Sequence, residues 1–315
     1  MLELRRNGAD MVKITPRLAL LLTLPPLLWA GNAVVGRMAV GSVPPLMLNA
    51  LRWVLASLLL LPLGWRAFGT AAARRQVRER WRELGLLSLL GVGSYNALQY
   101  LALTTSTPLN VTLIAASSPL WMMGIGALFY GERPHGRQWL GAALSLAGVV
   151  VVLSRGDAAQ LARVHFVIGD LLMLLAVLSW AFYSWLLARP PASLRGDARP
   201  DWNWAEALLV QTVLGSLWAG AGALGEAAVS PGALHWTPFV ALALLYVAVG
   251  PSVVAYRCWG LGVTVVGPAI AAFFSNLTPL FAAMLSAALL REPPQPYHGV
   301  AFVLIVAGIA VSSRR

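Results

Sequence analysis

Long apolar runs alternate with short polar breaks along almost the whole sequence. Ten runs stand out, at about 18–38, 44–65, 84–103, 107–130, 137–154, 166–188, 204–225, 237–260, 265–290 and 297–313. Each approaches the roughly 20 residues a helix needs to cross a hydrocarbon core of about 30 Å. Most connections are short. The two longer ones, 66–83 and 189–203, are charged, and the second is also rich in proline. The pattern predicts an all-α polytopic membrane protein with ten transmembrane helices, preceded by a polar segment over residues 1–17. That segment is basic and leads into an apolar run, as a signal peptide would, but it lacks a small-x-small cleavage site and its run has an internal counterpart.

The pattern also repeats. At a shift of 160 positions, Pro108 falls on Pro268, Pro119 on Pro279, Glu132 on Glu292, Pro134 on Pro294, and Ala147-Gly148 on Ala307-Gly308. Nearer the front, a shift of 151 lays Trp29-Ala30 on Trp180-Ala181. The chain therefore divides into two five-helix halves, 18–155 and 166–313. Five is odd, so the second half starts from the opposite side of the bilayer and the repeats are inverted. Inverted repeats are the architecture of many secondary transporters, because their pseudo-twofold axis lets one site face either side in turn.

Composition agrees with a membrane protein. Hydrophobic residues make up 58% of the 315 and charged residues 11%, against about a quarter charged in soluble domains. The net charge of +11 would fit nucleic acid, but its distribution gives it another meaning. With the N-terminus in the cytoplasm, most Lys and Arg fall on inside segments, including Arg66, Arg74, Arg75, Arg78, Arg80, Arg82, Arg133, Arg137, Arg189, Arg195 and Arg199. The outside segments hold only Arg37, Arg155, Arg163 and Arg291. This bias predicts both termini inside. Cys258 is the single cysteine and excludes an intramolecular disulfide. Four scattered histidines without HExxH or CxxC spacing give no metal site, and no cofactor is expected.

The motifs resemble the drug/metabolite transporter superfamily, specifically its EamA-type members. They are "WAGNAVVGR" (29–37), "PLMLNALRW" (45–53), "PLWMMGIGALFYGERP" (119–134) with "GAALSLAGVVV", "GDLLMLLAVLSWAFYS" (169–184), and "LTPLFAAMLSAALLREPP" (277–294) with "AFVLIVAGIAV". The resemblance covers nearly the whole chain. It implies a central cavity ringed by the first four helices of each half, with the fifth and tenth at the periphery. It also implies export of small metabolites, often amino acids, across the bacterial inner membrane. Within the family the chain is most similar to aromatic amino-acid exporters. One departure is "AYRCWGLG", which sets Arg257 where an apolar or small residue is expected.

The third run carries a polar stripe. At 100° per residue, Ser88, Tyr95, Asn96, Gln99 and Tyr100 share one arc and must face the protein interior. Tyr95 and Gln99 lead as candidates to line a substrate path, where amides and phenols bond a zwitterion and rings stack on an apolar side chain. The other reading is plain interhelical hydrogen bonding, at about 0.6 kcal/mol per contact. Tyr256 and Trp259 are the second-half counterparts of Asn96 and Gln99, and Asn32, Tyr183, Ser275 and Asn276 join the same expected lining. For Trp29 and Trp180, packing and cavity roles are evenly balanced.

Arg52 lies inside the second run, where an unpaired guanidinium is costly. It could hold a substrate carboxylate, but bracing the outer end of its helix is favoured. Asp170 is expected to cap or pair. Pro119 and Pro279 fall midway along their runs and should kink them in symmetry-related fashion. Glu132 and Glu292 each precede a proline by two residues and are expected to cap the fifth and tenth helices.

The expected function is secondary transport, by alternating access, of small neutral amphipathic metabolites, with aromatic or small neutral amino acids first. The alternative is export of drug-like or nucleobase-like compounds. A membrane enzyme finds no GxSxG elbow and no nucleophile set, and a channel would need a continuous polar lining. The expected partners are the lipid bilayer and a small-molecule substrate, not nucleic acid. The oligomeric state stays open, and a monomer is compatible with the sequence.

Overall fold

The structure is a computed structural model that describes residues 14–38, 41–163, 165–229, 232, 234–290 and 295–313. The described residues form helices and connections, without a strand. The first two passes are α1 (Pro16–Met38) and α2 (Pro45–Gly64). Two short helices follow, α3 (Arg66–Gly69) and α4 (Ala71–Glu79), so the first long connection is helical. Thr70 caps α4 by accepting from the Ala73 N–H at 3.1 Å, and Ala, Arg, Gln and Glu sustain its turns. The third pass runs through α5 (Trp81–Ser88), a π-helical segment over Leu89–Ser94, and α6 (Tyr95–Ala102). The fourth comprises α7 (Pro108–Ala116) and α8 (Ser118–Tyr130), and the fifth is α9 (Gly136–Leu153).

The second half repeats this plan. It contains α10 (Ile168–Ala188), α11 (Trp204–Val229), and α12 (Pro238–Val247) joined through a π segment over Ala248–Val254 to α13 (Ala255–Val266). Then come α14 (Pro268–Ser275), α15 (Thr278–Leu290) and α16 (Pro296–Ser312). Among the described residues, seven helical stretches are long and apolar enough to cross a membrane, and eight if the bent α7–α8 pair counts as one. The sequence pattern gives ten. The two that fall short do so for local reasons. The polar stripe lowers the hydropathy of the third pass, and α16 has 17 residues.

Pseudo-equivalent helices pack against each other antiparallel, as inversion requires. A Cβ added to Gly141 of α9 would stand 2.7 Å from the Gly308 carbonyl of α16, and one on Gly148 would stand 2.9 Å from the Ala301 carbonyl. At a shift of 160 these two contacts exchange places. Small residues admit this approach of backbones in a medium where apolar burial supplies little association. Similarly α2 and α11 run antiparallel. Gly64 lies against Ala205, and at the other end Glu226 accepts from the Leu46 and Met47 N–H groups at 3.2 and 3.0 Å.

The helices break immediately before Pro119 and Pro279. Ser117 separates α7 from α8, whose axes diverge by 41°, and Asn276-Leu277 separates α14 from α15. Proline at the second position of the new helix has no N–H to complete the preceding turn.

Glu132 does not cap the fifth pass. Its backbone N–H closes α8 on the Gly126 carbonyl at 2.9 Å, with Gly131 left-handed at φ +67°. Its carboxylate pairs with the Arg189 guanidinium at the end of α10. The start of α9 is closed instead by Gln138, whose Oε1 accepts from the His135 N–H at 2.9 Å. At the pseudo-equivalent place, His298 Nδ1 accepts from the Gln295 N–H at 2.9 Å. Glu292 lies outside the described residues.

An arginine joins the two long connections. Arg80 donates to the Ser193 and Ala198 carbonyls at 2.9 and 2.7 Å, which ties α4 to the proline-rich 189–203 connection. Asn203 and Glu206 form a reciprocal cap on α11, with the Asn203 N–H donating to Glu206 at 2.7 Å and the Ala205 N–H to Asn203 at 2.7 Å.

Candidate functional site: a ring cluster between two π segments

Seven aromatic side chains meet where the halves join. Trp180 of α10 is the hub. Its ring centroid lies 5.4 Å from Trp29, 5.5 Å from Tyr95, 5.2 Å from Tyr183, 5.5 Å from Tyr256 and 5.4 Å from Trp259. Trp53 extends the cluster onto Tyr256 at 5.0 Å, nearly perpendicular. These are favourable edge-to-face or tilted separations for aromatic pairs. They draw residues from α1, α2, α6, α10 and α13, so both halves contribute.

The cluster is tied to the two π segments. Widening a helix to i→i+5 bonding disturbs the α ladder and leaves carbonyls in need of other donors. The Tyr256 hydroxyl donates to the Gly91 carbonyl at 2.6 Å, and the Trp29 indole N–H donates to the Pro251 carbonyl at 3.3 Å. Positions 91 and 251 are equivalents at the 160 shift, and in each case the donor comes from the opposite half. Ser179 donates to the Leu90 carbonyl at 2.8 Å, and Ser252 to the Val247 carbonyl at 2.7 Å. Pro251 has no N–H of its own, which accounts for an open ladder there. Gly91 lies under the Tyr183 ring, which an added Cβ would approach to 2.5 Å. The sequence carried a signal for both segments in "LGVGS" and "VGPSV", small or proline residues inside apolar runs.

The structure divides the sequence candidates into two groups. Tyr183, Tyr256, Trp259 and Asn276 are buried and already bonded. Tyr183 donates to Gln211 Oε1 at 3.0 Å, and the Trp259 N–H donates to the Ser184 hydroxyl at 3.0 Å. Asn276 turns away from the rings and donates to Ser145 of α9 at 2.9 Å, so its amide braces a peripheral helix. Asn32, Tyr95, Gln99 and Ser275 are partly exposed and Asn96 is buried. No side-chain hydrogen bond is described for any of these five. Gln211 and Ser184 were not singled out from sequence, since neither lies in a polar stripe.

The charges are also placed. Asp170, 2% exposed, accepts from the Val167 N–H at 2.9 Å, from the Asn110 amide at 3.0 Å and from the Ser106 hydroxyl. It caps α10 and ties it to the α6–α7 connection. Arg257 stacks over Trp204 at 5.1 Å. Arg52, 2% exposed, lies over the Trp53 ring at 4.9 Å and donates from Nε to the Ser252 hydroxyl at 3.0 Å.

A helical bundle with broken fourth and ninth passes, π segments in the third and eighth, and an aromatic seam between halves has the build of a polytopic transporter. The chain belongs to the EamA-like transporter family, which matches it twice, over residues 17–154 and 167–314. It is 28% identical to a transporter of Archaeoglobus fulgidus over 94% of this chain and 97% of that one. It is 26% identical to the aromatic amino acid exporter YddG of Ancylobacter novellus, over 91% and 93% of the two chains. A solved crystal structure shares the fold, with a TM-score of 0.73 at 24% identity over 94% of this chain and 96% of that chain.

Proposed function

We propose that the chain exports small neutral amphipathic metabolites, aromatic or small neutral amino acids first, across the inner membrane by alternating access. The observation that carries this reading is the ring cluster at the junction of the halves, flanked by the unbonded amides of Asn32, Asn96 and Gln99. Rings accept an apolar side chain by stacking, and amides bond an ammonium or carboxylate. The similarity to an aromatic amino acid exporter supports the substrate class. The repeats 18–155 and 166–313 rock about the seam, bending at Ser117 and at Asn276-Leu277. The arginine-rich face lies in the cytoplasm with both termini, by the bias of its loops.

Counterflow of labelled amino acids in proteoliposomes tests this. Exchange of phenylalanine, tryptophan or a small neutral amino acid against the same unlabelled compound is the expected result. Absence of exchange for all of them overturns the substrate class. The rings would equally stack on a flat heterocycle, so a nucleobase belongs in the same panel, and exchange confined to it would favour the drug-like or nucleobase-like alternative.

A further inference from the structure

Arg52 is a buried cation with an unmet need. Its Nη1 is sealed from solvent and has no hydrogen-bond partner. Among the described residues no salt bridge involves it. The nearby polar groups are neutral. Ser252 accepts from Nε and its hydroxyl donates to the Val247 carbonyl, while Asn49 accepts from the Trp53 indole at 3.2 Å. The carboxylates of the bundle are committed elsewhere. Asp170 caps α10, Glu206 caps α11, and Glu226 sits on the first N–H groups of α2. Bracing a helix end, the role favoured from sequence, leaves no reason for an uncompensated guanidinium nitrogen at this depth. A buried charge without a partner is strongly unfavourable unless something supplies the counter-charge.

The position of Arg52 says what that counter-charge accompanies. Its neighbour Trp53 contacts Tyr256, and Tyr256 contacts the Trp180 hub. Ser252, which Arg52 grips, follows Pro251, whose carbonyl holds Trp29. The guanidinium therefore lies against Trp53, the outer ring of the aromatic cluster, and bonds to the π segment whose Pro251 carbonyl holds Trp29. We propose that Arg52 is the carboxylate anchor for the carried molecule, so that the site selects compounds with a free carboxylate beside an apolar or aromatic tail. A guanidinium fork matches a carboxylate in geometry and charge, which amide and amine analogues cannot reproduce. This inference rests on the amino-acid reading above but makes a narrower demand, a carboxylate. It excludes decarboxylated amines and cationic drugs.

The test compares a matched acid and amide. Thermal unfolding of the purified protein in detergent is followed with phenylacetate and with phenylacetamide, and both are used as competitors of phenylalanine counterflow in proteoliposomes. Wild type should be stabilised by phenylacetate and not by phenylacetamide, and the acid should compete at a concentration at least about tenfold lower, equivalent to about 1.4 kcal/mol. In Arg52→Gln the ratio of acid to amide should fall to about one. A purely structural arginine would lower stability but leave that ratio unchanged. Should Arg52→Gln fail to fold, Arg52→Lys carries the test, because it keeps the charge and loses the fork. Its preference for the acid should survive but weaken severalfold. Equal effects of acid and amide on wild type overturn the anchor, whatever the exchange assay shows. Selective stabilisation by the acid without exchange of any amino acid leaves the anchor standing and removes the amino-acid reading.

Discussion

Trp29 and Trp180 meet edge to face, with ring centroids 5.4 Å apart and planes at 86°. They are counterparts in the two halves, so their contact lies where the halves' symmetry axis must pass. One indole N–H reaches across to a π-segment carbonyl of the other half, and the other ring is the hub of the cluster. Because the two rings touch, their substitutions should not add. Trp29→Ala and Trp180→Ala, alone and together, should give a coupling of about 0.5–1.5 kcal/mol in a double-mutant cycle by unfolding in micelles. Simple additivity would show that the contact contributes little.

Tyr256 and Tyr95 sit in the same cluster but differ in one bond. Tyr256→Phe leaves the buried Gly91 carbonyl without its donor, and should cost about 1–3 kcal/mol of stability. Tyr95→Phe removes a hydroxyl with no described partner and should leave stability nearly unchanged while impairing exchange. Melting curves alongside initial rates distinguish the two outcomes.

The α9–α16 seam depends on backbone proximity. Gly141→Leu would force a side chain into the Gly308 carbonyl and should sharply lower the melting temperature. Gly124→Ala, where nothing lies within 4 Å of the added Cβ, serves as a control and should be near neutral. Comparable losses from both would show that the close approach is unimportant.

Gln99→Ala and Asn96→Ala should each reduce exchange at normal expression, with smaller effects on unfolding than Tyr256→Phe. Unchanged kinetics in both would move the substrate path away from the polar stripe.

Pro119→Ala and Pro279→Ala restore an N–H at each broken pass. Straighter helices should slow exchange in both variants without loss of folded protein. Native rates at native expression in both would remove the bends from the transport cycle.

The Glu132–Arg189 pair is partly exposed on both sides, at 42% and 48% for the arginine and glutamate side chains. Glu132→Gln should therefore change stability by no more than about 1 kcal/mol, with a salt dependence that wild type shows and the variant lacks. A larger loss at high salt would point to a role beyond the surface pair.

Much of this architecture was legible in the order of residues. Apolar length fixed the passes, the 160-residue echo paired them, and proline marked both breaks, because each is a local consequence of hydropathy or of a missing N–H. The polar stripe of Tyr95, Asn96 and Gln99 was legible for the same reason. Partner choice was not. That Tyr256 would bond Gly91, that Asn276 would turn to Ser145, that Glu132 would pair with Arg189 instead of capping α9, and that Arg52 would end without an acceptor all depend on contacts between passes distant in sequence. Helix periodicity sets which face a side chain occupies, but only the packing of the two halves decides what stands opposite it.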